Sequence, residues 1–382
     1  MLRSTSFAAA VTPFLVLGTG CAEAVDRTLA SAAGDIRVET VAEGLNHPWA
    51  ITFLPDGGML VTERGGRLRH VSAAGEVSAP IAGVPAVDAR DQGGLLDVAL
   101  DPGFASNRLV YLSFSEAGEG GNSTAVARGT LNGDMSALEA VEVIFSQKPK
   151  VDSSAHFGSR LVFDRDGNLF VTMGDRSSAA FRGEAQNLSS HIGKIVRIRP
   201  DGAVPPDNPF VGRDDALPEI FAYGIRNPQA AALHPETGEL WEIEHGPRGG
   251  DELNVIRPGE NYGWPIVTLG VEYTGFTIGD GLKTAPGMVD AIYSWTPVIA
   301  PSGMIFYSGA AFPAWQGDIF VGGLASKALI RLELDGERVV REERLLEPLG
   351  LRIRDVAQGP DGALYVVTDH RDGKLLRIAP GG

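Results

Sequence analysis

A single cysteine in 382 residues leaves no partner for an internal disulfide, so stability has to come from packing and from any bound metal. Beyond residue 25 no stretch approaches the ~20 consecutive apolar residues that a membrane helix needs. Basic residues are scarce as well. Lys and Arg total 33 against 48 Asp and Glu, and the formal net charge of −15 argues against nucleic acid as a partner. The acidity itself reads as solubility. Also missing are a D-x-D-x-D-G calcium loop, a His/Cys set with zinc spacing, and a low-complexity linker between residues 36 and 378 that would mark a second domain.

What is present is an ordinary soluble composition, 43% hydrophobic and 21% charged, with 49 Gly and 24 Pro. That Gly and Pro content suits a turn-dense all-β chain better than a helical one. Six times an apolar run leads into a tight turn and then a β-branched run. The turns centre on Pro55-Asp56-Gly57, Asp101-Pro102-Gly103, Asp164-Arg165-Asp166-Gly167, His234-Pro235-Glu236-Thr237-Gly238, Pro313 to Asp318 and Pro360-Asp361-Gly362. Alternating segments joined this way are β-hairpins. A repeat of roughly 45 residues built from them is a propeller blade, so the expected fold is an all-β, six-bladed β-propeller over 36–382. Its loops would gather at one end of a central channel. The middle intervals are longer than one blade and carry insertions at about 176–191, 200–218, 247–262 and 271–300, which are expected to build a site.

The N-terminus looks exported. Arg3, a mostly apolar run from Phe7 to Leu17, and Ala22-Glu23-Ala24 resemble a signal peptide over 1–24, cleaved after Ala24. Leu17-Gly18-Thr19-Gly20-Cys21 is close to a lipoprotein box, the competing reading, although Gly18 stands where Leu or Val is usual. Periplasmic or secreted localisation follows in either case. Residues 25–35 read as a short flexible lead.

Three groups of residues could carry chemistry. His156 stands at the entrance to a strand and Asp175 at the exit of the next, which in a hairpin places them at the same end. The pair is either a base with its orienting carboxylate or a structural His–Asp bond. Arg226-Asn227 follows a strand, and in Leu351-Arg352-Ile353-Arg354-Asp355 the two arginines point to one face. Either an anionic ligand or neighbouring carboxylates must sit between them. Finally, His245-Gly246-Pro247-Arg248-Gly249-Gly250-Asp251-Glu252 and Asn261-Tyr262-Gly263-Trp264-Pro265 combine exposed carbonyls with carboxylates, suited to Ca²⁺ or to a plain tight loop.

Together with Asp91-Gln92-Gly93-Gly94 and Gly224-Ile225-Arg226-Asn227-Pro228, these segments resemble the soluble quinoprotein sugar dehydrogenases, in particular the aldose sugar dehydrogenase branch that uses pyrroloquinoline quinone (PQQ). The resemblance spans nearly the whole mature chain. It implies that His156 removes the proton of the sugar C1 hydroxyl and Asp175 orients it, while the C1 hydride passes to the quinone C5. Arg226 and Ca²⁺ would polarise the C5 carbonyl, and the ion would be held by the Gly246 and Pro247 carbonyls. Glu252 and Tyr262 match a second calcium site. Gln92, Asn227, Lys327, Arg352 and Arg354 match positions that contact the quinone, as does Tyr273. PQQ is a tricarboxylate, which would account for clustered arginines in an acidic chain. The long glucose-specific insertions are absent, favouring broad aldose use, with an unidentified electron acceptor and a monomer or homodimer.

The competing reading is an exported Ca²⁺-dependent propeller hydrolase, such as a lactonase. It has no need of Gln92 or the Arg352/Arg354 pair. A non-enzymatic propeller binding glycans or a protein would leave His156 and Asp175 without a role, and fold alone does not decide between these readings.

Overall fold

The computed structural model describes Met1 and residues 24–382. The expected leader, including Cys21, lies outside the described residues except for its ends. Among the described residues no helix is long and apolar enough to cross a membrane.

Each of the six turns joins the first two strands of one sheet, and the six sheets form a β-propeller. Blade 1 comprises Pro48–Phe53, Met59–Glu63 and Arg67–Val71; blade 2, Leu95–Leu100, Leu109–Gly118, Gly121–Leu131 and Leu138–Ser146. Blade 3 comprises Leu161–Phe163, Leu169–Met173, Lys194–Ile198 and Ile220–Tyr223; blade 4, Pro228–Leu233, Leu240–Glu244, Asp251–Ile256 and Tyr293–Trp295. Blade 5 comprises Pro301–Phe306, Ile319–Gly323, Ala328–Asp335 and Arg338–Leu345; blade 6, Ile353–Gln358, Leu364–Thr368 and Gly373–Pro380. All pairings within the blades are antiparallel. The first strand of each blade meets its neighbours around the central channel.

The turn chemistry explains the repeat. In blades 1, 3 and 6 an aspartate caps its own turn: Asp56 accepts from Gly58 N, Asp164 from Asp166 N and Asn168 N, and Asp361 from Ala363 N. The glycine of each turn takes the positive φ its neighbours avoid (84°, 81° and 77° at Gly57, Gly167 and Gly362). Apolar faces of adjacent blades then pack together; Trp315, fully buried, stacks on Phe312 with ring centroids 3.9 Å apart between blades 5 and 6.

Closure comes from the N-terminus. Gly34–Leu45 runs antiparallel to Gly373–Pro380, with Ile36 opposite Pro380 and Leu45 opposite Gly373. Residues 25–35, expected as a flexible lead, are ordered: Asp26–Ser31 pairs with Gly34–Leu45 as a fifth strand of blade 6, and Leu29 rests on the core. Its short polar sequence concealed a strand whose partner is the far end of the chain.

Two of the expected insertions also need correction. The strand Asp251–Ile256 runs through the middle of 247–262, so that range is a loop, a blade strand and the start of a second loop. Residues 200–218 link the third and fourth strands of blade 3 at the turn end, where Pro200 O accepts from Arg128 and Tyr111, away from the strand entrances. Residues 176–191 and the long excursion after Ile256 do reach those entrances. The channel is plugged midway by Arg160, whose guanidinium lies 3.2 Å from both Asp97 and Asp355 and 4.2 Å from the Trp49 ring centroid. On the turn side of this plug lies a cavity of about 370 Å³. The other side holds the candidate site.

Candidate active site

In every blade the entrance of the first strand and the exit of the second lie at the end opposite the six turns. There they enclose a cavity of about 310 Å³ lined by Arg64, Gln92, Phe157, Asn227, Gln229, His245, Arg352, Arg354 and Asp369, among others. That volume is at the lower end of the range typical of small-ligand pockets, about 300–1,000 Å³.

His156 sits on this rim with φ +52°, a left-handed conformation held from outside: Gln92 Oε1 accepts its main-chain N–H at 2.9 Å. Its Nδ1 lies 2.6 Å from Asp175 Oδ1, and both side chains are buried. Asp175 Oδ1 also accepts Ser177 N at 2.8 Å, and Oδ2 accepts Trp264 Nε1 at 2.8 Å. Burial works against the Asp175 charge, yet the His156 hydrogen bond, the Arg226 charge and the Ser177 N–H hold its pKa below the ordinary value. An ionised carboxylate only accepts, so the imidazole proton belongs on Nδ1 and the Nε2 lone pair is left free. Burial, reinforced by the Arg226 and Arg176 charges, outweighs Asp175 and lowers the His156 pKa, keeping the ring neutral.

Arg226 lies beside this pair. Its main-chain N–H and that of Asn227 are held by the Glu244 carboxylate, and its guanidinium donates to His245 O and Gly246 O, both at 2.7 Å. Its Nε is buried without a partner. Asn227 Oδ1 accepts from Gly158 N at 3.2 Å, joining blades 3 and 4 beside the cavity. His245 donates Nε2 to Pro301 O at 2.6 Å, and burial pushes its pKa down to about 3.

The arginine pair resolves through a residue that sequence reasoning passed over. Asp369, at the exit of the second strand of blade 6, accepts from Arg352 at 2.9 Å, from Arg354 at 3.1 Å and from His47 Nδ1 at 3.0 Å. Burial opposes its charge, but Arg354, His47 and Arg352 hold its pKa well below the carboxylate range. Two guanidiniums on one carboxylate leave an uncompensated positive charge, and Arg64 adds another on the same wall. Burial lowers Arg354 to about 10, and its Nε has no partner. Even with Asp91 and Asp369 in its lining the cavity keeps a positive balance, with Arg354 buried, Arg64 half-buried and Arg352 exposed, which suits a polyanion.

A divalent cation would fall at the 245–252 loop. The His245 and Gly246 carbonyls converge on one Arg226 nitrogen, and a Cβ at Gly246 would come within 2.1 Å of Gly250 O. The backbone is thus folded tightly enough to present carbonyls rather than side chains. Asp251 fixes the loop by accepting Gly246 N at 2.8 Å and the N–H groups of Ile299 and Ala300. Among the described residues no three His, Cys, Asp or Glu side chains converge as metal ligands, so a cation would depend on main-chain oxygens. Tyr262 is committed elsewhere: its hydroxyl donates to Val255 O and accepts Arg257 N. Glu252 lies nearby, its pKa raised by burial to about 7. Only a small space separates these two residues.

Gln92, Asn227, Arg352 and Arg354 thus line one cavity, while His156, Asp175 and Arg226 are outside its lining: His156 and Arg226 directly precede the lining residues Phe157 and Asn227, and Asp175 is bonded to His156. Lys327 is exposed and outside the lining, with Leu324 reaching the cavity from its loop. Tyr273 is 69% exposed and also outside it, on a hairpin tied down by the Arg182–Glu272 ion pair. Trp49, Arg64, Gln229, Trp264 and Asp369 were missed. For Asp369 the signal was available, since it stands just past the second strand of its blade, one residue beyond Thr368, much as Asp175 stands two residues beyond Met173.

Comparison with known proteins gives a consistent picture. The glucose/sorbosone dehydrogenase family model matches residues 45–377. The aldose sugar dehydrogenase YliI of Escherichia coli K12 is 46% identical over 353 residues, covering 92% of this chain and 94% of that protein. A crystal structure of a glucose dehydrogenase superimposes with a TM-score of 0.87 at 51% identity, covering 90% of this chain and 99% of that one. The PQQ-bound aldose sugar dehydrogenase of Streptomyces coelicolor gives 0.74 at 30% identity, covering 92% and 100%.

Proposed function

Since this chain belongs to the glucose/sorbosone dehydrogenase family of oxidoreductases, we propose that it oxidises aldoses at C1 to the lactone with PQQ and Ca²⁺ as cofactors. The observation that carries the proposal is a neutral, carboxylate-oriented histidine at the rim of a cavity with a cationic wall.

PQQ fits the residues present: Arg354 and Arg226 each keep a buried, unpartnered Nε, and Arg64, Arg352 and Arg354 outnumber the lining carboxylates Asp91 and Asp369, leaving positive charge for a polyanion. Gln92 and Asn227 add neutral polar groups to the same cavity. Lys327 and Tyr273 remain candidate contacts only through loop movement. Ca²⁺ would be held by the Gly246 and Pro247 carbonyls, with Glu252 and the main chain of Tyr262 as a second candidate position. When bound, the quinone supplies a hydride acceptor at its C5.

His156 Nε2 takes the proton of the sugar C1 hydroxyl, which raises electron density at C1 and favours departure of its hydride. Asp175 holds the Nδ1 proton and stabilises the imidazolium that forms. Arg226 would offer its positive charge to a bound quinone and is itself fixed by the His245 and Gly246 carbonyls, so it would need little reorganisation to do so. A leader at 1–24 places this chemistry outside the cytoplasm.

The test is reconstitution of the purified protein with PQQ and Ca²⁺, then dye reduction with a panel of aldoses, with and without chelator present during loading. Sugar-dependent reduction that requires both additions is expected. Hydrolysis of lactones, with no dye reduction and no change in the quinone spectrum, would move the assignment to a calcium-dependent hydrolase.

A further inference from the structure

We propose that Trp264 is a positioning residue for the base, holding the Asp175 carboxylate through its indole N–H so that the other carboxylate oxygen stays on His156. The inference rests on His156 acting as the base.

Trp264 is 4% exposed and belongs to the Asn261-Tyr262-Gly263-Trp264-Pro265 segment, which climbs from the turn end between blades 3 and 4. Its main chain is pinned on both sides: Trp264 N donates to Gly224 O at 2.8 Å and Gln186 Nε2 to Trp264 O at 2.7 Å. The ring packs on Ala185 and Ile278. From this fixed base Nε1 reaches Asp175 Oδ2 at 2.8 Å, leaving Oδ1 for His156 Nδ1 and Ser177 N. The two carboxylate oxygens therefore have separate donors, and the plane of the group is set from both edges.

That division matters because the terminal torsion of an aspartate is broad. Without a donor on Oδ2 the carboxylate can turn, and the His156 ring loses its fixed tautomer and direction. Buried indoles differ in this respect: Trp295 Nε1 also donates to a carboxylate, Glu342, at 2.8 Å. The Nε1 groups of Trp241 and Trp315 are buried with no partner at all. The Arg226 guanidinium lies 5.2 Å from the centroid of the Trp264 ring and that of Arg182 lies 5.6 Å away. The same side chain thus braces both the base pair and the arginine beside it.

The charged and titratable groups around the pair are Asp175, Arg226 and Arg176, with His245 beyond them. None of these changes in Trp264→Phe, which keeps a ring and loses the N–H. A hydrogen bond to a charged group is worth about tenfold or more in rate if it acts on the transition state. In reconstituted enzyme, Trp264→Phe should lower kcat about tenfold or more while KM for the sugar stays within about twofold. In an Asp175→Asn background the same substitution should cause no further loss of kcat, because the indole N–H there opposes the amide NH₂ instead of holding a carboxylate.

An equal loss in both backgrounds would overturn the proposal, since Trp264 would then act by another route. So would an unchanged kcat in the single variant. A second reading needs no tryptophan variant and no cofactor. In the apoprotein, one of the five indole N–H proton resonances should move on Asp175→Asn, and an unmoved spectrum would contradict the contact. If His156→Ala itself kept full activity, the reading of the base would fail instead, separately from this one.

Discussion

Replacing Asp175 with Asn exchanges two accepting oxygens for one acceptor and one donor at nearly constant volume. Three N–H groups converge on the native carboxylate, from His156, Ser177 and Trp264. With the amide oxygen toward His156, the NH₂ group faces the Trp264 indole and two donors oppose each other. With the amide turned over, its NH₂ donates to His156 Nδ1, which moves the imidazole proton to Nε2 and removes the base. The first arrangement leaves a buried donor unsatisfied at a cost of about 1–3 kcal/mol. The second forfeits general-base catalysis, about 10²–10⁴ in rate. Asp175→Asn should therefore bind PQQ with near-native affinity, lose about two to four orders of magnitude in kcat at saturating sugar, and unfold at slightly lower urea. Steady-state dye reduction with PQQ-loaded protein reads the first two effects. A folded variant with kcat within threefold of the native value would refute the orienting role.

Three further outcomes follow from the same geometry. Arg354→Ala should weaken PQQ binding by about 10- to 100-fold in a fluorescence titration, because a buried charge-assisted contact is lost. Arg352→Ala should cost less than tenfold, its side chain being 45% exposed, and equal losses would contradict this ranking. Arg160→Met should destabilise the fold by about 3–5 kcal/mol in urea unfolding, because Asp97 and Asp355 would be left buried and unpaired; a loss under about 1 kcal/mol would show that the plug is not electrostatic. The acid limb of kcat/KM should lie below pH 6.5, since burial favours neutral His156 and only acidification past its lowered pKa removes the base. A limb above pH 7 would contradict that sign.

Much of the fold was legible because it rests on local chemistry. In blades 1, 3 and 6 the Asp- and Gly-bearing turn caps itself, so those hairpins are written in adjacent residues. The juxtaposition of His156 and Asp175 could be read for the same reason, since both belong to one hairpin. What could not be read depends on closure of the ring. Asp26–Ser31 is a strand only because Gly34–Leu45 is held by the C-terminal blade. The role of His47 is hidden for the same reason, its partner Asp369 being 322 residues away. The direction of the 200–218 loop depends on counting strands within blade 3, and the sequence pattern does not mark its short first strand, Leu161–Phe163. Trp264 reaches Asp175 only because its loop runs back along the side of the propeller.

The central claim is that His156 drives removal of hydride from the sugar C1. Its most direct test is stopped-flow reduction of PQQ-loaded enzyme by glucose carrying hydrogen or deuterium at C1, in native protein and in His156→Ala. The account predicts a rate that slows on deuteration in the native protein and a loss of about 10²–10⁴ in the variant, with PQQ still bound. A rate indifferent to C1 deuterium, together with an unimpaired variant, would contradict it.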